Sequence, residues 1–226
     1  MAGVAGRKSY NQNCPIARGL DVLGERWTLL ILRELLGGAR RYGDVRAALP
    51  GIATNLLADR LRELEEAGLV VRSELPPPVA RTVYTLSDEG WRKVPPVIRG
   101  VATFGLDLLE PSESALTPLN GFLAGILLGF DPTQVSDAAS YSVDIDGRRF
   151  GFGVTTDGLT AAANPPAVTV TATAADLITA RLGGTAAERK AALRRCKFEG
   201  SAAAIDAMRA AFRLAADPGL ASSNRG

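Results

Sequence analysis

The 226-residue chain contains no histidine. That removes the commonest general base and the usual metal ligand from any site it builds. Its two cysteines, Cys14 and Cys196, lie far apart without metal-ligand spacing, so neither a disulfide framework nor a zinc site is indicated. No apolar run approaches the roughly 18–20 residues needed to cross a bilayer. The opening "MAGVAGRKSYNQN" lacks the long apolar core of a secretory signal, so a cytoplasmic protein with no membrane partner is expected. There is no Gly-x-x-x-x-Gly-Lys-Ser/Thr loop, and "GFG" at 151–153 falls short of a dinucleotide fingerprint. Nothing points to a cofactor or to catalysis, and a non-enzyme is expected.

What is present is ordinary in amount and uneven in placement. Apolar residues make up 46% of the chain and charged residues 22%, as in a globular protein long enough for one large domain or two ordinary ones. The net charge is only +2, yet residues 1–49 hold eight basic side chains (Arg7, Lys8, Arg18, Arg26, Arg33, Arg40, Arg41, Arg46) against four acids (Asp21, Glu25, Glu34, Asp44). For most single arginines a solvated helix face explains the charge. A basic region beside a turn-and-helix unit has a second meaning, because attraction to phosphate supplies most non-specific DNA affinity.

Residues 15–23 and 26–36 read as helices. The stretch "WTLLILRELL" is too broadly apolar for an exposed helix and should be buried on most sides until Gly37-Gly38 stops it. A short helix at about 42–48 leads through Pro50-Gly51 to a helix at about 54–67. There Leu57, Leu61 and Leu64 form one core-facing stripe, while Asn55, Ala58, Asp59 and Arg62 fall on the other side. Thr54 is placed to cap its amino end. "LVVRSE" and "RTVYTL" have strand composition and are separated by the proline-stiffened tip "LPPPVA". A further helix starts near Ser87, and Pro95-Pro96 should interrupt or restart it. A short helix, a turn, a half-buried helix with a polar outer face and a two-stranded wing make a winged helix-turn-helix, whose second helix lies in the DNA major groove.

The stretch "NCPIARGLDVLGERWTLLILRELLGGARRYGDVRAALPGIATNLLADRLRELEEAGLVVR" closely resembles the HxlR family of bacterial winged-helix transcription regulators. The resemblance covers about 14–110 and rests on Cys14-Pro15, Arg26-Trp27, Arg41-Tyr42, Pro50-Gly51-Ile52 and Leu61-Arg62-Glu63-Leu64 in family order. Asp59 departs from the family, whose members often carry an uncharged polar residue there. An acid repels phosphate; it can accept from a cytosine amino group or pair with Arg62 or Arg60. On this reading Asn55 and Arg62 contact base edges, and Arg41, Arg72 and Arg81 hold phosphates. The resemblance also implies a redox role for Cys14, since a cysteine at this place is the sensor in several HxlR-type regulators; the competing expectation is a small apolar filler. Helix 95–109 places Ile98, Val101, Ala102 and Leu108 on an apolar ridge suited to a homodimer on a palindromic double-stranded operator.

Residues 112–217 differ in character. "SYSVDID", an Asp146-Gly147 turn and "RRFGFGVT" signal a hairpin; Asp157-Gly158 marks another turn, "AVTVTAT" a strand, "AADLITARL" a helix, and "EGSAAAIDAMRAAFRLA" a final amphipathic helix. This order resembles the sterol-carrier-protein-like domain that follows the winged helix in some HxlR-type regulators. The expected fold class is therefore α+β: an N-terminal winged helix-turn-helix domain, 1–110, followed by a sterol-carrier-protein-like α/β-layer domain, 111–226. The resemblance implies an apolar cavity. Helix 114–130 repeats Gly121, Gly125 and Gly129 every four residues, which fits either close packing or a cavity wall for an apolar small-molecule effector. In the second case Phe122, Ile126 and Phe130 would face Phe150 and Phe152. Three function classes remain: a DNA-binding regulator, a lipid- or small-molecule-binding protein whose winged helix serves only for assembly, and an enzyme acting in the second block.

Overall fold

The computed structural model describes residues 9–75, 81–108, 117–163 and 165–214. The chain divides into two compact units, one ending at Gly90 and the other starting at Trp91.

The first unit contains α1 (Pro15–Leu23), α2 (Thr28–Leu35), α3 (Tyr42–Ala48), α4 (Thr54–Glu66) and the antiparallel pair β1 (Val70–Glu74) and β2 (Thr82–Leu86). Its core is aliphatic: Ile31, Leu32, Leu35, Val45, Leu57, Leu61, Leu64 and Val83 are all buried. The apolar α2 is buried over most of its surface, with Leu30 left exposed. Where the chain must turn sharply, glycine supplies a positive φ. Gly51 (φ +92) completes the Pro50-Gly51 turn, closed by the Ile52 N–H on the Leu49 carbonyl at 3.2 Å. Gly68 (φ +72) ends α4: the Leu69 N–H reaches the Leu64 carbonyl at 3.0 Å and the Gly68 N–H that of Glu65 at 2.9 Å. That pair of bonds satisfies carbonyls a helix end otherwise orphans.

α5 (Asp88–Gly105) begins as expected, with the Ser87 hydroxyl accepting from the Gly90 N–H at 2.9 Å. It does not break at Pro95-Pro96. The two prolines remove only their own N–H donors, so the carbonyls of Trp91 and Arg92 lose their intrahelical partners. Trp91, Val94 and Ile98 lie buried on one face across the defect and hold the helix continuous. Ile98 is therefore core, not part of the expected ridge. The exposed apolar side chains at helical spacing are Val97, Val101, Phe104 (79% exposed) and Leu108 (70%), with Ala102 half-buried.

The second unit is built on a five-stranded sheet of order β5-β4-β3-β6-β7, comprising β3 (Ala139–Ile145), β4 (Arg148–Thr155), β5 (Gly158–Thr160), β6 (Val168–Ala172) and β7 (Lys197–Gly200). Asp146 and Gly147 both take positive φ, the geometry of a tight hairpin turn between β3 and β4. β3 pairs parallel with β6, and the other pairings are antiparallel. Around the sheet lie α6 (Pro118–Phe122) with a following π-helical turn (Leu123–Leu127), α7 (Ala174–Leu182), α8 (Ala186–Arg195) and α9 (Ala202–Ala211). α8 and β7 have no counterpart in the reading of the sequence. The expected helix 114–130 is an α-helical turn that widens into a π turn; residues 114–116 lie outside the described ones.

The glycine repeat is a packing face. A Cβ on Gly121 would stand 2.8 Å from Ala174 Cα, one on Gly125 would stand 2.8 Å from Leu177 Cβ, and one on Gly129 would overlap the Arg181 guanidinium and the Phe212 carbonyl. Arg181 is 4% exposed and donates to the carbonyls of Gly125 (3.1 Å), Arg213 (3.3 Å) and Phe212. Burial, with Arg213 nearby, pushes its pKa down to about 10. Gly129→Ala should lower the unfolding free energy by about 1–3 kcal/mol through overpacking. In contrast, Gly100→Ala, where a Cβ on α5 meets nothing within 4 Å, should raise it by about 0.5–1 kcal/mol. Urea unfolding of the two variants checks the sign of each.

Candidate nucleic-acid interface

The helix-turn-helix is assembled by few contacts. Arg41 opens α3, its N–H donating to the Asp44 carboxylate at 3.2 Å. The next residue, Tyr42, donates its hydroxyl to the carbonyl of Thr54 at 2.5 Å, tying the start of α3 to the first residue of α4. Between them the Pro50-Gly51 turn reverses the chain. Leu57, Leu61 and Leu64 fix which side of α4 faces the core, and Asn55, Ala58 and Arg62 are left exposed.

Thr54 does not cap α4. It is the first helical residue, and the cap position is Ala53, which offers no side-chain acceptor. The turn delivers the chain one residue earlier than the hydroxyl pattern implied. The amino end of α4 thus presents backbone N–H groups without a side-chain cap, at the positive end of the helix dipole. Asp59 resolves between its two possible partners: its carboxylate accepts from Arg62 at 2.9 Å, and Glu66 stands 3.9 Å from the same guanidinium. Arg60 turns to Glu63 and Glu25.

In the wing, Arg72 sits on β1 opposite Tyr84 of β2, and both Arg72 and Arg81 are exposed. The Leu75 N–H meets the Arg81 carbonyl at 2.9 Å, and the tip at 76–80 lies outside the described residues. Arg40 adds a short third edge, its backbone exchanging bonds of 3.0 and 2.7 Å with Tyr84. Its guanidinium reaches Glu34 at 3.0 Å, which Arg33 approaches at 2.9 Å from the other direction. Sequence reasoning missed Glu34. The available signal was a carboxylate beside Arg33 in a mostly apolar helix, which survives burial only when paired.

Cys14 is the cap residue of α1 and half-buried, neither fully inside nor free. The backbone N–H groups of Ala17 and Ile16 lower its thiol pKa. Arg18, one turn on, stands 3.7 Å from Asp21, and Lys8 lies outside the described residues. Cys196 is the opposite case: burial pushes its thiol up to about 11.

The residues assigned to an apolar cavity are core. Phe122, Ile126, Phe150 and Phe152 are fully buried. Phe122 stacks on Phe150 with ring centroids 4.7 Å apart and meets Phe152 edge-on at 5.5 Å, so aromatic rings fill the space between helix and sheet. Phe130 is 7% exposed and packs against Phe212 at 5.3 Å.

This geometry defines a winged helix-turn-helix protein of the kind that binds DNA. Residues 22–113 match the family described as HxlR-like helix-turn-helix. The HTH-type transcriptional regulator sll1512 of Synechocystis sp. is 39% identical over 108 residues, 48% of this chain and 79% of that protein. YvaP of Bacillus subtilis, also an HTH-type transcriptional regulator, is 33% identical over 105 residues, 46% of this chain and 96% of that protein. The solved reduced form of YodB from B. subtilis is 30% identical, with 45% of this chain and all of that one covered, at a TM-score of 0.38. The chain belongs to the HxlR-like helix-turn-helix family. It is thus one of a family of DNA-binding transcription regulators, not enzymes. Among the described residues no helix is long and apolar enough to cross a membrane.

Thiolate is the reacting form of cysteine, so the two thiols should separate by pH. In the native protein iodoacetamide should label Cys14 below pH 9, while Cys196 stays protected until well above it. Under denaturing conditions both should label alike; peptide mass mapping reads the difference.

Proposed function

We propose that the chain is a sequence-specific, homodimeric transcription regulator that sets α4 into the major groove of a palindromic operator. The observation carrying this reading is the split of α4 into a buried leucine face and an exposed face of Asn55, Ala58 and Arg62, delivered by the Pro50-Gly51 turn. Asn55 and Arg62 read base edges, because their donors match the acceptors of the groove. Thr54 and the uncapped start of α4 approach a phosphate, as do Arg41, Arg72 and Arg81. Asp59 holds Arg62 in register. The exposed ridge of Val97, Val101 and Phe104 on α5, continued by Leu108 in the 3-10 turn that follows, supports the two-fold contact, since an apolar stripe of this size is unusual on a monomer. Residues 1–110 form the DNA-binding and dimerisation part. Residues 111–226 form a sterol-carrier-protein-like part, a sheet covered by helices, that binds an apolar small molecule and biases DNA binding.

A gel shift against the DNA upstream of the protein's own coding sequence, at stated salt, tests the main reading. Arg62→Ala should cost about 1–3 kcal/mol and relax base preference, whereas Arg81→Ala should weaken all sequences alike. Phe104→Glu should sediment as a monomer at micromolar concentration. An Arg62→Ala protein with affinity and preference intact would mean that the wrong face has been assigned.

A second reading is favoured by the cap position of Cys14 and its lowered pKa: oxidation of this thiol modulates binding. Operator binding by wild type and Cys14→Ser, before and after mild peroxide, tests it. Only the wild type should respond; identical responses would remove Cys14 from the mechanism.

A further inference from the structure

Beside α5, within the second unit, lies a cleft of about 550 Å3, a size that takes a small organic molecule. Its apolar lining includes Pro95, Leu127, Phe130 and Leu159. Of the five residues assigned to a cavity from sequence, Phe130 alone lines it. The side of α5 that forms one wall is poor in donors: Pro95 and Pro96 have no N–H, and the Thr103 hydroxyl is spent on the Arg99 carbonyl at 2.8 Å. Polar recognition therefore falls to the charged lining, Arg92, Arg99 and Asp157, of which Arg99 has the open geometry. Arg99 is held in place by donating Nη1 to the Phe130 carbonyl at 2.7 Å; its Nε and Nη2 make no hydrogen bond among the described residues. A planar fork fixed at the edge of an apolar cleft suits a carboxylate.

We propose that this cleft binds a small amphipathic anion, an apolar body ending in a carboxylate, with the body against Leu127, Phe130 and Leu159 and the head at Arg99. The inference rests on the reading of the second unit as ligand-binding, but moves the site out of the filled aromatic core and gives the ligand a charge. A purely apolar effector would leave Arg99 unmatched, and a cation would meet its like charge. The ligand also touches the side of α5 away from the exposed Val97, Val101 and Phe104, so one helix carries both the cleft and the ridge.

Calorimetric titration of the full chain without DNA tests this with octanoate, octan-1-ol and octyltrimethylammonium as probes. Octanoate should bind saturably, on the order of tenfold tighter than octanol, with the ammonium weaker still. Arg99→Gln should bring octanoate down to the level of octanol. Gly100→Trp should abolish uptake of both, because it places an indole in the cleft where a Cβ meets nothing within 4 Å. Thermal unfolding of each variant should stay cooperative near the wild-type midpoint, which separates a lost site from a lost fold. Absence of saturable octanoate binding, octanol equalling octanoate, or uptake undiminished in Gly100→Trp would overturn the proposal. With no DNA present, these outcomes are independent of operator recognition: failure here beside a normal gel shift removes the cleft alone, and the reverse removes the operator reading alone.

Discussion

Glu34 is a carboxylate 2% exposed to solvent and held between the guanidinium groups of Arg33 and Arg40. A charge so placed is tolerated only while its partners stay, so the position of Arg40 is not free to vary. Arg40 is also stitched to Tyr84 of the wing through both of its backbone polar groups. The next two residues, Arg41 and Tyr42, begin α3, and the Tyr42 hydroxyl reaches the start of α4. One buried ion cluster thereby fixes the wing and both helices of the helix-turn-helix relative to the core helix α2. Hydrophobic burial supplies the larger share of stability, but it does not by itself set such a register.

The first unit was legible because its signals are local. Leucines at helical spacing, Pro50-Gly51 and Gly68 each name one conformation, and the helices fall within a residue or two of their expected bounds. Failures came where a local rule met a longer-range one. Thr54 is a good cap by type, but the turn geometry put Ala53 in that position. Pro95-Pro96 should stop a helix, yet Trp91, Val94 and Ile98 anchor it on both sides of the defect. In the second unit, the Thr185–Glu188 capping box that starts α8 was available as a signal and went unread. β7 is four residues with little burial, and only its pairing with β6 makes it a strand. Phe122 meets Phe150 and Phe152, while Phe130 packs on Phe212 instead; whether rings enclose a space or fill it depends on distances that no pattern contains.

α5 illustrates how one helix serves several surroundings. Trp91, Val94 and Ile98 are buried, Val97, Val101 and Phe104 are exposed and apolar, and Pro96, Arg99 and Thr103 line a cleft. Those sets recur at three- and four-residue spacing, so each occupies its own stripe. The paired prolines lie where the stripes run side by side, and there the helix lacks two of its backbone hydrogen bonds.

The contacts of Arg62 on α4 have a consequence for ionic strength. Its guanidinium stands 2.9 Å from Asp59 and 3.9 Å from Glu66, so it comes to any polyanion already carrying counter-charge of its own. DNA binding gains much of its driving force from cations that the duplex releases when a free positive charge replaces them, by close to one ion per neutralised phosphate. An arginine that must share itself with two carboxylates displaces less than a full ion. On the proposed reading, α4 would thus contribute base reading with little of the salt-sensitive attraction, which would be left to the exposed Arg41, Arg72 and Arg81. Discrimination between sequences on this scaffold should therefore survive changes in salt that weaken its overall grip.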